Sequence, residues 1–439
     1  MIREERHRVV VVADSDTRWK WGASVARQIG PDHVLDAYFL RTRATPTERQ
    51  LAEIGIMPDS RRDVDAGELV VDEQLATADL LVLATAGGTT VSLLHSLGLN
   101  WAALEHRPIT VTGYVGVVYE KLVDGLLTRA GADLVLANSA YDAERFREVF
   151  LGVGTDQTSV VETALPFMDG NPYDRTAAGV TRSFTVCFAV QPSVPRSKRA
   201  RLRMLERAAE HARRCPERLV LMKLRSLPGE HTTHIEAHPY QSLIGQLDNP
   251  APPNLQLVYG NMGEVLDRTD LLVTVSSTAA LESLHRGIPT AILTDFGVRE
   301  ANGNHYFTNS GCLSSWSEID DGHIPVPDPA WKAHQGIGKG DPYAAARARI
   351  AALRAAGPLP LITPYYTPQR ASCYLPELLA RHGLDERGRP LPVPLGGGPG
   401  ARGLVPRHLR KMLRPLAKRV YQFGYQRVAP ALRRVGGQL

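Results

Sequence analysis

The 439 residues are too many for one ordinary core and suit two packed lobes with an extension. Apolar residues make up 43% of the chain and charged residues 22%, the balance of a soluble globular protein. No apolar run reaches the ~18 residues of a spanning helix, so integral membrane insertion is not expected. The net charge of +5 conceals an asymmetry: residues 395–439 carry ten Lys/Arg and no Asp/Glu, which leaves the rest of the chain acidic.

Met1–Arg8 alternates charges and runs straight into Val9–Val12, too short a run for the core of a signal peptide, so a cytoplasmic protein is expected. Apolar and β-branched segments then alternate with stretches of helical period, the pattern of parallel sheets with crossover helices. The predicted fold class is α/β, with two doubly wound Rossmann-like lobes, a cleft between them and a basic C-terminal tail. In the first lobe, residues 1–166, strands are expected at Arg8–Ala13, His33–Phe39, Leu80–Thr85, Ile109–Thr112 and Asp133–Ala137. Helices are expected near Gly22–Ile29, Val91–Leu97, Tyr119–Arg129 and Ala140–Val149. The polar stretch 167–182, with Gly170, Pro172 and Gly179, reads as a linker.

The second lobe, 183–340, opens with a strand at Phe184–Val190 and a helix at Lys198–Arg214. Strands Leu219–Leu224 and Leu255–Val258, helix Met262–Leu266, strand Asp270–Val275, helix Ala279–His285 and strand Thr290–Leu293 follow. Within 341–389, residues 341–356 and 368–383 are expected to form helices that return toward the first lobe. Residues 390–439 comprise a Pro/Gly joint and the basic tail.

Four cysteines, Cys187, Cys215, Cys312 and Cys373, lie far apart with no C-x-x-C pair, which predicts reduced, mostly buried thiols and no cysteine zinc site. The most informative stretch is Asp270–Glu282. Its strand ends in Ser276-Ser277-Thr278 at the start of a helix, so hydroxyls and free backbone N–H groups form a candidate phosphate site. Strand carboxyl ends are where open α/β sheets take ligands. Glu282, one turn on, is placed to accept hydrogen bonds from a ribose.

This strand, Ser-Ser-Thr, Ala279-Ala280-Leu281-Glu282 and Gly287-Ile288-Pro289 together resemble the donor-binding lobe of GT-B glycosyltransferases, closest to bacterial sialyltransferases and capsule-type (Kdo) transferases. The resemblance implies that His238-Pro239 contacts the phosphate of a CMP-activated sugar. It also implies that an acid-acid-Gly motif in the first lobe supplies the base. This chain has Val123-Asp124-Gly125, with a valine at one acidic position; Asp124 and Glu120 lie four apart on one helical face and either could serve, Asp124 being preferred. Gln191-Pro192 resembles the Gln-Pro of capsule transferases, and Lys223 with Arg225 ends a neighbouring strand.

Asp14 and Asp16 follow the first strand. They stand too early for the metal-binding Asp-x-Asp of GT-A enzymes and are read, with Gly87, Gly88, Thr89, Gly113 and Tyr114, as acceptor-side cleft residues. His231, His234 and His238 have loop surroundings that disfavour zinc. In the tail, Leu409, Met412, Leu413, Leu416 and Val420 form a helical stripe among basic residues, broken at Pro415, which suits an anionic membrane surface through residues 400–439 better than nucleic acid.

The expected activity is an inverting, metal-independent glycosyl transfer, without cofactor, from a nucleotide-sugar donor. The favoured donor is a CMP-linked nonulosonic acid, and the acceptor a glycan or lipid-linked glycan at the inner membrane face. One alternative keeps the fold and uses UDP or CDP, as transferase or sugar-nucleotide epimerase. Another is a catalytically inactive nucleotide-binding protein recruited to the membrane.

Overall fold

The computed structural model describes residues 7–117, 122–176, 180–227, 230, 236–338 and 340–392. By contacts the chain divides into residues 1–391 and 392–439, and the first unit holds two parallel sheets. The first sheet contains β1 (Arg8–Ala13), β2 (Val34–Leu40), β3 (Ser60–Val64), β4 (Leu80–Ala84), β5 (Ile109–Gly113), β6 (Leu134–Ala137) and β7 (Val160–Glu162), in the order β3-β2-β1-β4-β5-β6-β7. The second contains β8 (Thr185–Ala189), β9 (Leu219–Lys223), β10 (Leu255–Val258), β11 (Leu271–Thr274), β12 (Thr290–Leu293) and β13 (Leu313–Ser314), in the order β10-β9-β8-β11-β12-β13. Both are doubly wound, and together the lobes form the two-domain GT-B arrangement with a cleft. Strand order reverses between β1 and β4 in one sheet and between β8 and β11 in the other.

The four valines of β1 show why a central parallel strand reads as an unbroken apolar run. Val9 and Val11 enter one apolar layer with Trp19 and Trp21 of helix Asp16–Ile29. Val10 and Val12 enter the opposite layer with Leu93, Leu94 and Leu97 of helix Gly87–Asn100. All four are fully buried. Gly22 lets the Asp16–Ile29 helix lie close on the sheet, since a Cβ there would stand 2.5 Å from Val11 Cγ1 and 2.9 Å from the Ala84 Cβ. In the second lobe Val186 and Phe188 face Met204 and Leu205 of helix Lys198–Arg214, while Cys187 and Ala189 join the layer that also contains Val9 and Trp19. Apolar packing therefore runs continuously from one lobe to the other.

Several elements differ from the sequence-based expectation. Strand β3 is the edge segment Ser-Arg-Arg-Asp-Val, in which only Val64 is buried, and β7 and β13 are three and two residues long; none carries enough apolar pattern to be read alone. The helix expected from Gly22 begins at Asp16, because Ser15 in extended conformation starts it directly after β1. The helix expected at Tyr119–Arg129 is described over Leu122–Leu127, residues 118–121 lying outside the described residues. Cys187 and Cys312 are buried, Cys215 is half-buried and Cys373 is exposed.

After the second sheet, helix Ala344–Ala355 lies against the first lobe, where the Tyr343 hydroxyl donates to the Ala164 carbonyl at 3.1 Å and Arg347 to the Gln28 carbonyl at 2.8 Å. Helix Tyr374–Arg381 buries Leu375 and Leu379 in the layer that holds Val10. Among the described residues no helix is long and apolar enough to cross a membrane.

Candidate active site

A cavity of about 420 Å³ lies where the carboxyl ends of the two sheets face each other. The first lobe contributes Asp16, Thr17 and Lys20 from the helix after β1, Gln50 and Glu53 from helix Glu48–Ile54, and Val115–Val117 after β5. The second contributes Gln191 and Pro192 after β8, Lys223–Arg225 at the end of β9, Asn261 after β10, and Ser276–Ala279 with Glu282 after β11.

The hydroxyl run is not used uniformly. Ser276 is buried; its backbone N–H donates to Gln191 Oε1 at 3.1 Å, and its hydroxyl donates to the Asn302 carbonyl at 2.6 Å. Its side chain is thus committed to holding two loops together. Ser277 Oγ accepts from the Ala279 N–H at 3.2 Å, capping the helix start, while Thr278 has no side-chain capping bond. Ser277, Thr278 and the N-terminus of helix Ala279–Arg286 border the cavity; the N–H groups of Ser277, Ala279, Ala280 and Leu281 are already bonded within the turn, so the rim offers an anion the Ser277 and Thr278 hydroxyls and the positive end of the helix.

Charge in the cavity is arranged in pairs that cross between the lobes. Lys20 Nζ is 3.5 Å from Glu282 Oε1 and 4.4 Å from the centre of the Phe167 ring. Burial raises the Glu282 carboxyl above the ordinary glutamate range, with Lys20 acting against the rise. Lys223 Nζ donates to the Leu224 carbonyl at 2.7 Å and lies 3.9 Å from Glu53 Oε1. Burial lowers its ammonium below the ordinary lysine value, and Glu53 opposes that. One terminal nitrogen of Arg225 reaches both Asp16 carboxylate oxygens at 3.1 Å and also contacts the Thr17 hydroxyl. Arg49 and Glu230 form a further cross-lobe pair, with both contacts at 2.5 Å.

Of the residues named from sequence, Asp16, Gln191, Pro192, Lys223, Arg225, Ser276, Ser277, Thr278 and Glu282 line this cavity; Asp14, Gly87, Gly88, Thr89, Gly113, Tyr114, Asp124, His238 and Pro239 do not. Asp14 accepts from Arg18 at 2.6 Å and from the Ala86 N–H at 3.1 Å, so it ties the loop after β1 to the loop after β4. Gly87 and Gly88 open helix Gly87–Asn100, but a Cβ on Gly87 would stand 2.5 Å from Thr128 Oγ1 and one on Gly88 3.1 Å from Leu378 Cδ1. Those glycines serve packing within the lobe, and Thr89 beside them is buried outside the cavity. Gly113 is pressed against Trp21 and Leu136. The Tyr114 hydroxyl donates to the Leu122 carbonyl at 3.2 Å, its ring lies under Arg129, and burial pushes its phenol up to about 12.

Asp124 is exposed on helix Leu122–Leu127, and Glu120 lies outside the described residues. His238 is half-buried and Pro239 caps the short helix Tyr240–Leu243; neither lines the cavity. Their segment is tied to its rim. Glu236 pairs with Arg201, which donates to the Gln191 carbonyl at 3.0 Å, and Gln241 donates to the Ser226 carbonyl at 3.1 Å. His231 and His234 lie outside the described residues, and among those described no His/Cys/Asp/Glu group is arranged around a metal position. Sequence reading did not single out Lys20, Gln50, Glu53 or Asn261. Each stands on a helix or helix cap where a polar residue reads as ordinary surface, and the facing lobe alone makes it part of a site.

Residues 9–353 match one protein family, described as "Putative glycosyltransferase (DUF6716)". The chain belongs to that family. The match supports glycosyltransferase-type membership and does not single out the sialyltransferase type. Among solved structures, the S. aureus MnaA–UDP co-structure is 12% identical with a TM-score of 0.49, over 79% of this chain and 95% of that one. The UDP-GlcNAc 2-epimerase from Methanocaldococcus jannaschii is 10% identical with a TM-score of 0.48, over 80% of this chain and 99% of that one. No curated protein matches the chain by sequence.

Proposed function

We propose that the protein transfers a sugar from a nucleoside-diphosphate donor bound in the cleft to a hydroxyl acceptor. The observation that supports this reading most directly is the second-lobe rim. There Lys223 and Arg225 stand at the end of β9, and Ser277, Thr278 and a helix N-terminus follow β11, all bordering one cavity. Two cations beside a helix start suit the two charges of a pyrophosphate better than the single charge of a CMP-sugar phosphodiester. Glu282, at the base of that rim, is the group for ribose hydroxyls. Departure of the nucleotide places charge on the phosphate, which Lys223 and Arg225 meet from the rim; His238 lies outside the cavity and would reach that charge only through a shift of the adjoining segment.

The acceptor is a glycan or lipid-linked glycan, presented at the cytoplasmic face of a membrane that the basic segment 400–439 engages. Its ten Lys/Arg without acids and its apolar stripe support that placement. A sugar-nucleotide epimerase would use the same donor rim and need no second substrate.

A donor screen tests the reading. Thermal shift with UDP, GDP, CDP and CMP, followed by release of nucleotide from the corresponding sugars with and without glycan acceptors, is expected to show a diphosphate preference and acceptor-dependent turnover. Stabilisation by CMP alone restores the CMP-sugar donor, turnover that only interconverts the sugar assigns an epimerase, and binding without any turnover assigns the inactive binding protein.

A further inference from the structure

We propose that Asp16 deprotonates the acceptor hydroxyl and that Arg225 withholds it until a donor phosphate enters the cavity, an inference that rests on the transferase reading above. Among the described residues three carboxylates line the cavity, and their partners separate them. Glu282 belongs to the donor rim, is buried and is held by Lys20. Glu53 lies 3.9 Å from Lys223 but also accepts from Arg49 at 2.7 Å, and Arg49 does not line the cavity, so a ligand that draws Lys223 away would still leave Glu53 paired. Asp16 comes from the acceptor-side lobe, and the cation it engages, Arg225, stands beside Lys223 on the donor rim.

The geometry of the Asp16–Arg225 pair makes it exchangeable. Both carboxylate oxygens converge on a single terminal nitrogen of the guanidinium, while Arg225 Nε is buried with no hydrogen-bond partner. The pair therefore lacks the two parallel bonds, through Nε and a terminal nitrogen, that make guanidinium–oxyanion contacts strong. A phosphate oxygen entering the cavity competes for the terminal nitrogen and takes it from Asp16, and a turn of the guanidinium that brings Nε to a second oxygen completes the fork. The freed carboxylate then faces the cavity from the acceptor side with no cation occupying its oxygens.

In the transfer step the acceptor O–H proton passes to the Asp16 carboxylate and the acceptor oxygen bonds to the anomeric carbon. The anomeric carbon–oxygen bond to phosphate breaks with its electron pair on the phosphate oxygen, where Arg225 and Lys223 meet the new charge. An acceptor arriving without donor finds Asp16 neutralised, so proton removal waits on donor binding.

The test compares full-length wild type, Asp16→Asn, Asp16→Glu and Arg225→Gln, with UDP as the binding probe and the donor found in the screen as substrate. Expected is that Asp16→Asn keeps or enlarges the UDP-induced thermal shift, because Arg225 is released, while kcat falls by about 100-fold or more. Asp16→Glu should recover part of that loss, and Arg225→Gln should lose most of the thermal shift. Normal turnover by Asp16→Asn overturns the inference and leaves the transferase reading standing, as does a UDP shift lost in Asp16→Asn and kept in Arg225→Gln. If Asp16→Asn does not fold, Asp16→Ser is read by the same two outcomes. Wild-type protein that is stabilised by none of the four nucleotides overturns the transferase reading itself, and the inference with it.

Discussion

The two lobes solve the same construction problem with different side chains. In each, strand order reverses between two adjacent parallel strands, and the loops leaving those strands must be held together. The first lobe uses Asp14, which follows β1 and accepts the Ala86 N–H after β4 at 3.1 Å. The second uses Gln191, which follows β8 and accepts the Ser276 N–H after β11 at 3.1 Å. Asp14 carries a charge that Arg18 neutralises from within the lobe. Gln191 performs the same bridging without charge, so the neighbouring helix start stays attractive to an anion. The adjacent helix starts differ accordingly: the one at Gly87 is packed under Thr128 and Leu378, whereas the one at Ala279 borders the cavity. One switch point is closed by packing and the other borders the cavity.

Exchanging the two bridging residues is the strongest way to break this comparison. Gln191→Glu keeps an acceptor for Ser276 but places a negative charge beside the proposed phosphate. At about 5 Å and an effective dielectric of about 20 that costs about 3 kcal/mol, so UDP affinity measured by calorimetry should fall by about 100-fold. Unchanged affinity would mean that the phosphate binds elsewhere.

Each lobe also buries a carboxylate in the first turn of a helix, and these differ in pairing. Glu282 has Lys20, while Asp142 is buried with one oxygen lacking any hydrogen-bond partner. Burial pushes the Asp142 carboxyl up to about 6 from an ordinary value of 3.8. Because the folded-state value is the higher one, the native protein binds the extra proton between pH 3.8 and about 6, and the charged form above that interval is destabilising. Asp142→Asn should therefore stabilise the protein at pH 8 by an amount on the order of 2 kcal/mol, with the gain fading as pH falls through about 6 and gone near pH 4. Thermal melts across that range check it; a gain that is independent of pH would assign the effect to packing.

His238→Ala probes whether the segment tied to the second-lobe rim takes part in leaving-group departure. Turnover should drop by about tenfold with the melting temperature nearly unchanged, since a half-buried loop histidine carries little packing. The same kcat in mutant and wild type at saturating donor removes it from the mechanism. Removing residues 392–439 should abolish sedimentation with anionic vesicles and leave the UDP-induced shift unaltered, because every proposed cleft residue precedes that unit. Equal vesicle binding by truncated and full-length protein would end the membrane reading. The smallest effect belongs to Asp14→Asn, which retains an acceptor for Ala86: UDP affinity should change by less than about twofold, and any loss of stability should be no more than about 1 kcal/mol.

Much of this architecture is legible in the order of residues along the chain. The valine run of β1, the alternation of apolar segments with helical periods and the hydroxyl run after β11 are local signals, because burial on both faces of a strand and the start of a helix impose their chemistry on consecutive residues. Short edge strands such as β3 and β13 leave no such trace, since few of their side chains meet the core. The glycines at 87, 88 and 113 show the opposite error: their small size reads as room for a ligand, and the fold fills that room with Thr128, Leu378 and Trp21.

By itself, then, the sequence determined the fold class, the tail's charge and the hydroxyl segment after β11 that lines the cavity, all properties carried by neighbours along the chain. Tertiary structure alone decided which charges meet. Lys20 with Glu282, Lys223 with Glu53 and Arg225 with Asp16 join residues far apart in sequence, and a local contact such as Glu53 with Arg49 is the ordinary i,i+4 pair of a surface helix. Such pairings depend on how one sheet's carboxyl end faces the other's. That arrangement is set by the continuous apolar layer joining Val9 and Trp19 to Cys187 and Ala189, and no local pattern of residues encodes it.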